Sequence, residues 1–407
     1  MKDIDLAHLV HGMQGECVEA SWPPIVASDI KLLLESQAMW NQFHTDSDFK
    51  KSFDDEVVIL WTSPRPMSGA VIALLGEKKV FVKRHHISVR TIDDMHLEHG
   101  FIKYLSANGI RVPYFYANTG KETVFLQGQF IYELSEVLSG VDLYQDRPSW
   151  SSYLSLQQAY NAGQALARLH DVAENFKAPE RKFNVLQNSS TVIMADDPLA
   201  KLEVLLSSVP AVSHGIIEQA GSLKSFLKAF TNTHLWYIEK LATYKNSISL
   251  HYIHGDWHPS NMTWTSVAED AAVENIFDFG LSNLSFFQHD IAIAIERAFV
   301  DWLDLKGLGA ITCDLEGVGI FLSGYDSLRK LSLWDLELIA DLMPICHFEY
   351  ALSEVGYFSS VLKQPDNAAL AYDSYLFDHS EFFRTKAGVE LSCYIRKFTP
   401  STANLKG

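Results

Sequence analysis

The sequence predicts an α+β protein in two lobes: a small antiparallel β-sheet lobe over residues 1–133 and a larger, mostly helical lobe over 134–407. Three observations carry this. Between residues 57 and 134 lie five short apolar runs separated by turn-forming residues. From residue 156 onward apolar residues recur at helical spacing. The length, 407 residues, exceeds what one hydrophobic core ordinarily organises.

Ahead of the first run, Ser28 to Phe43 reads as a helix, with Ser28 as N-cap and Ile30, Leu33, Leu34 and Met39 at helical spacing. Val57–Thr62, Ala70–Leu75 and Lys79–Lys83 read as three strands joined by turn-rich Ser63–Gly69 and Gly76–Lys78. Thr91–Asn108 reads as a helix stopped by Gly109. Val112–Tyr116 and Val124–Leu134 are the remaining strands. In the second half, helices are predicted over Leu156–His170, Ser222–Tyr244, His289–Leu305, Trp334–Leu342 and Ile345–Leu362. The short apolar strands His251–Ile253 and Val273–Phe277 flank a loop.

Composition excludes several classes. Hydrophobic residues make up 47% and charged residues 20%, an ordinary globular balance. A net charge of −17 argues against a nucleic-acid partner, which calls for clustered Lys and Arg. Cys17, Cys313, Cys346 and Cys393 show no CxxC spacing, which points to a reducing cytoplasm rather than a disulfide framework. Met1–Gln14 lacks a basic-then-apolar signal pattern, and no apolar run approaches the ~18 to 20 residues of a membrane helix. A cytoplasmic protein without membrane insertion is expected, and the sequence does not specify its oligomeric state.

The chemistry concentrates in His254-Gly255-Asp256-Trp257-His258-Pro259-Ser260-Asn261 and in Asp278-Phe279-Gly280. Phosphoryl transfer needs a carboxylate that positions an attacking hydroxyl, together with oxygen ligands for Mg²⁺. An Asp and an Asn five residues apart in one loop can serve the two sides: Asp256 toward the acceptor, Asn261 toward the metal. Asp278 follows Asp256 by 22 residues, directly after a strand, so a hairpin would return a second metal carboxylate to the first loop. His254 would brace the loop, and Gly255 permits its tight turn. Taken singly these residues are ordinary turn formers; the ordered set is what points to catalysis. Lys83, ending an apolar strand, can lie over nucleotide phosphates, and Glu98 on the following helix can hold it by an ion pair.

In this order the segments resemble the aminoglycoside phosphotransferase and choline kinase-like superfamily, a branch of the protein kinase-like fold. The resemblance spans roughly residues 57 to 300. Val80-Phe81-Val82-Lys83, the Glu98 helix with Val112-Pro113, Gly163 to His170, the 254–261 loop, Phe277 to Gly280 and Asp290-Ile291-Ala292 carry it. It implies an ATP- and Mg²⁺-dependent kinase, with GTP as the other possible donor. It further implies Asp256 as catalytic base, Asn261 and Asp278 as Mg²⁺ ligands, Lys83 as phosphate contact, and Asp290 as a brace for the catalytic loop. The backbone near Tyr132, Glu133 and Leu134 would meet the adenine. The first loop departs from the pattern: it offers Pro64, Pro66 and Gly69 in place of a glycine-rich run.

On the acceptor side, His347, Tyr350 and Glu354 recur at i, i+3 and i+7, an aromatic and acidic wall suited to an ammonium. The same spacing also describes a packed amphipathic helix. Trp257 and His258, beside the expected base, are further candidate substrate contacts. The resemblance implies a small-molecule hydroxyl acceptor, an aminoglycoside, choline, homoserine or a similar hydroxylated amine, and does not single one out. The alternative is a non-catalytic nucleotide-binding regulator. A protein kinase is disfavoured, since no Ala-Pro-Glu element or long activation segment precedes Asp290.

Overall fold

The computed structural model describes residues 9–11, 16–43, 57–65, 67–149, 151–302 and 311–399, and these form two compact units. The first holds the described residues of 1–107 and 111–139; the second holds those of 108–110 and 140–407. The division falls after Ser139, later than the sequence boundary at 133, because the last strand of the first unit runs on to Glu136.

In the first unit, β1 (Leu9–His11) pairs antiparallel with β2 (Cys17–Glu19). Helix α1 (Ala27–Ser36) follows. Five strands, β3 (Val57–Thr62), β4 (Gly69–Leu75), β5 (Lys78–His86), β6 (Phe125–Gln127) and β7 (Phe130–Glu136), form one antiparallel sheet in the order β3-β4-β5-β7-β6. Helix α2 (Ile92–Ala107) lies in sequence between β5 and β6. Period-two alternation puts Val71, Ala73 and Leu75 of β4 with Val80 and Val82 of β5 in one core, against Ile30, Leu33 and Leu34 of α1. Two sequence expectations change here. Val112–Tyr116 is not a strand; only Phe115 bridges to Ser135, and Pro113 has no backbone donor to extend a ladder. Val124–Leu134 is not one strand but the hairpin β6–β7, turned at Gly128 with φ of 62°.

The second unit is built on α3 (Leu156–Ala173), capped by Ser155 accepting from Gln158 N. The helices α4 (Pro198–Ser208), α5 (Pro210–Ala220), α6 (Leu223–Phe230) and α7 (Trp236–Leu241) follow, the last two joined through a π-type turn. Then come the strands β8 (His251–Ile253), β9 (Met262–Trp264), β10 (Val273–Ile276) and β11 (Asn283–Ser285), with β8 paired to β11 and β9 to β10. The chain closes with α8 (Phe287–Phe299), α9 (Leu315–Leu328), α10 (Leu333–Leu342), α11 (Phe348–Gly356), α12 (Pro365–Leu370), α13 (His379–Phe382) and α14 (Lys386–Arg396).

Helix α3 crosses α9 at very short range. A Cβ on Gly163 would stand 2.2 Å from the Phe321 carbonyl, and one on Gly324 would stand 2.0 Å from the Tyr160 carbonyl. Among the described residues no single helix is long and apolar enough to cross a membrane. The bent pair α4–α5 has the length and composition, but it buries Leu202, Leu205, Leu206, Val212 and Ile216 within the fold.

Candidate active site

The 254–261 loop leaves β8 and enters β9, so both ends are anchored by sheet pairing. Gly255 makes the turn possible. Its φ is 78°, and a Cβ there would lie 2.4 Å from the Leu281 carbonyl. Asp290, in the first turn of α8, holds the loop from below. It accepts from His254 N at 2.8 Å and from Gly255 N at 2.9 Å. It also accepts from His170 Nε2 at 3.0 Å, while His170 Nδ1 bonds the Tyr325 hydroxyl at 2.8 Å. Burial alone would raise the Asp290 carboxyl, but His170 and the loop groups outweigh it and keep the group below its ordinary value. His254 spans the loop in turn. Its Nδ1 accepts from Asp256 N at 3.2 Å, and its Nε2 meets the Phe277 carbonyl at 3.1 Å.

These bonds converge on Asp256 and Asn261. Asn261 Nδ2 donates to the Asp256 carbonyl at 2.9 Å and to Asp256 Oδ2 at 3.1 Å. With its nitrogen committed to Asp256, the amide's carbonyl oxygen is the atom suited to a hard cation. The β9–β10 hairpin brings Phe277 N to the Asn261 carbonyl at 3.0 Å, which places Asp278 one residue beyond that contact. Asp278 itself adopts φ 59° and ψ 65°, the left-handed region that non-glycine residues rarely enter. The oxygen donors Asn261 and Asp278 thus fit a Mg²⁺-type ion by their chemistry.

Three features of this unit carried no sequence signal. Arg297 of α8 pairs with Asp256 Oδ1 at 2.7 Å. Burial pushes the Asp256 carboxyl up, yet Arg297 first and His258 next pull it well below the usual carboxylate range. Arg181, fully buried, donates to the carbonyls of Gly280 at 3.0 Å and Ser282 at 2.8 Å, fixing the chain after Asp278. Glu349 accepts from the backbone N–H groups of Thr191, Val192 and Ile193.

Of the expected acceptor contacts, Trp257 is fully buried with its ring edge-on to His254 at 5.4 Å, so it forms loop core rather than a substrate surface. His258 lies 3.4 Å from Asp256 and bonds Ser260 Oγ at 2.9 Å. Helix α11 and the turn before it bring His347, Tyr350 and Glu354 into the field of this centre: Arg297 interacts electrostatically with Tyr350 and Glu354, and Asp256 with His347 and Glu354. Burial first, then Glu296 and Asp256 against the pull of Arg297, pushes the Glu354 carboxyl up to about 8.

In the first unit Lys83 lies in β5 opposite Glu133 of β7, and Glu98 is buried on α2. Glu133 accepts from His99 Nε2 at 2.6 Å and faces His85 at 3.9 Å; His99 stacks on Phe115. Burial opposes ionisation of Glu133, but His85 and His99 outweigh it and hold its carboxyl low. Tyr132, Glu133 and Leu134 correct the expectation of an adenine-facing backbone. Tyr132 pairs with Phe125 of β6, Glu133 with Lys83 of β5, and the Leu134 carbonyl accepts from Tyr116 N. Pairing persists to Glu136, whose N–H donates to Tyr114, so sheet bonds already use this stretch.

Comparison with known proteins follows the same lines. Residues 68–331 match the phosphotransferase enzyme family. No curated protein matches the chain. Among solved structures, a microcompartment-associated aminopropanol kinase superposes with a TM-score of 0.56 at 15% identity, covering 90% of this chain and 99% of its own. A choline kinase from Cryptosporidium parvum gives 0.51 at 12% identity, covering 91% and 99%. An amicoumacin kinase solved with AMP-PNP and Ca²⁺ gives 0.47 at 15%, covering 92% and 97%. With its antiparallel five-stranded sheet, helix-rich second unit and a match over residues 68–331, the chain has a protein kinase-like α+β fold and belongs to the phosphotransferase enzyme family.

Proposed function

We propose that this protein transfers the γ-phosphate of ATP, with Mg²⁺, to a hydroxyl of a small hydroxylated amine, of the kind represented by aminoglycosides, choline and homoserine. The observation that carries the reading is the joined geometry of Asp256, Asn261 and Asp278, two loops stitched together at Asn261 and Phe277. Asp256 orients the acceptor hydroxyl and takes its proton as the oxygen attacks phosphorus. Arg297 and His258 keep that carboxylate ionised although its side chain is only 15% exposed. Asn261 and Asp278 would hold Mg²⁺, which supplies charge neutralisation at the phosphates when bound. Lys83, oriented by Glu98, is the phosphate contact. The adenine edge is assigned to backbone beyond Glu136, where sheet pairing ends.

Buried acids on α8 and α11 support an amine acceptor. Burial, Glu296 and Asp256 push Glu354 up to about 8, and a cationic acceptor beside it would favour its charged form. The test is a screen of hydroxylated amines, hydroxy amino acids, sugars and aminoglycosides, with ATP or GTP, read by nucleoside diphosphate release. Wild-type protein is expected to turn over at least one amine, and Asp256→Asn to lower kcat by about 10² to 10⁴-fold. Binding of Mg-ATP by thermal shift with no transfer to any acceptor would instead make the protein a non-catalytic nucleotide-binding regulator.

A further inference from the structure

Away from the expected Mg²⁺ ligands, three elements of the second unit bring one metal-ligating atom each to a single point. Glu296 comes from α8, Cys346 from the turn before α11, and His379 from the start of α13. All three are buried, and their ligand atoms lie within 4.8 Å of one another. His379 Nε2 stands 3.5 Å from Glu296 Oε1. Two atoms each about 2.1 Å from one ion at the tetrahedral angle lie about 3.4 Å apart, so this separation suits shared coordination.

A second observation points the same way. Among the described residues Glu296 Oε2 has no hydrogen-bond partner although Glu296 is 1% exposed, and the 5% exposed His379 Nε2 has no contact better than the 3.5 Å one to Glu296 Oε1. Leaving such groups unmade is costly in a protein interior. The surroundings hold both in place. Trp302 stacks on the His379 ring at 4.7 Å and donates Nε1 to the Glu296 carbonyl at 3.0 Å. His289 Nε2 bonds the Cys346 carbonyl at 2.9 Å. A carboxylate, a thiolate and an imidazole are a borderline-soft donor set, unlike the all-oxygen set of Asn261 and Asp278.

We infer that Glu296, Cys346 and His379 form a second metal site, selective for zinc-like divalent ions over Mg²⁺. Binding breaks the Cys346 S–H bond, releases that proton to solvent and forms the metal–sulfur bond. His379 gives its Nε2 lone pair, and Glu296 gives one oxygen. The carboxylate and thiolate charges then cancel the ion's charge, next to an Asp256–Arg297 pair that is itself neutral. A fourth ligand comes from water, as at open zinc sites. The ion would tie α8, the turn before α11 and α13 together beside the centre that carries Asp256.

The experiment uses the untagged full chain, without nucleotide, stripped with chelator and then exposed to Zn²⁺ or Co²⁺. Mass spectrometry of dialysed protein is expected to give one zinc per chain, and Co²⁺ to give a thiolate charge-transfer band. Cys346→Ser and His379→Gln should weaken zinc binding about 100-fold or more in competition with a chromophoric chelator, whereas Cys17→Ser and Cys393→Ser should leave it unchanged. Melting curves in chelator check the fold: Cys346→Ser should match metal-free wild type, and only wild type should gain stability on adding Zn²⁺. No retained zinc, or a cobalt band that survives Cys346→Ser and disappears with Cys17→Ser or Cys393→Ser, would overturn the site. So would stabilisation of the stripped protein by hydroxylated amines with none by Zn²⁺.

Discussion

Asp256 is a largely enclosed carboxylate whose ionisation rests first on Arg297 and next on His258. Arg297→Gln would leave it in the interior without its 2.7 Å partner, a change that typically costs about 3 to 5 kcal/mol. The sign of the pH effect follows from the direction of the shift. A carboxyl held below its ordinary value stabilises the fold above pH ~4, and that contribution disappears as pH falls through its folded value. Removing Arg297 raises the folded value. Urea melts of Arg297→Gln should therefore show a smaller loss of stability in acid than wild type, while the acid limb of kcat/KM moves toward neutrality. Asp278 offers a contrasting case. Asn tolerates left-handed backbone as well as Asp does, so Asp278→Asn should keep the melting temperature while transfer collapses with the lost metal charge. A variant that melts early would mean that the carboxylate holds the turn rather than a cation.

Between elements the sharpest constraint is the α3–α9 crossing. Gly163→Ala must push the helices apart by the clash with the Phe321 carbonyl, an overpacking cost of about 1 to 3 kcal/mol readable as a lower denaturation midpoint. Gly100→Ala should do the opposite. Gly100 sits exposed within α2, and among the described residues no heavy atom lies within 4 Å of the added Cβ, so the variant should gain about 0.5 to 1 kcal/mol. The segments of the candidate site were easy to pick out in sequence because their spacing is local: a turn glycine, an Asp and an amide in one loop, then a strand returning a second Asp. Arg297 was not, since one arginine in an apolar helix gives no sign that it turns toward a loop 41 residues earlier in the chain. Nor was the pairing of Glu133 with His99, which needs the sheet register before the two can meet. Helices α4 and α5 went unread although each opens on proline, and Asp197 caps the first by accepting from Ala200 N. That Asp-Pro start is a signal the apolar periodicity alone passes over.

For the molecule as a whole, the net charge of −17 gives the acceptor's charge a kinetic signature. If the acceptor is a cation, kcat/KM should fall as salt rises from about 0.01 to 0.1 M, where the screening length shrinks from ~30 to ~10 Å, while kcat holds. A neutral acceptor should show no such slope, so one salt series separates amines from plain alcohols. The α+β architecture reads easily from sequence because the five-stranded sheet is drawn from residues 57–136 and most helices follow it; the exact end of the first unit does not, because β7 continues past the last obvious apolar run. Asp290 carries a broader consequence. One carboxylate ties His170 on α3, and through it Tyr325 on α9, to the backbone of His254 and Gly255. In a saturation screen for loss of activity, His170, Tyr325 and Asp290 should therefore score as intolerant as Asp256, although none is assigned a contact with a reactant. A map of intolerant positions from such a screen would trace the support beneath the loop as faithfully as the chemistry above it.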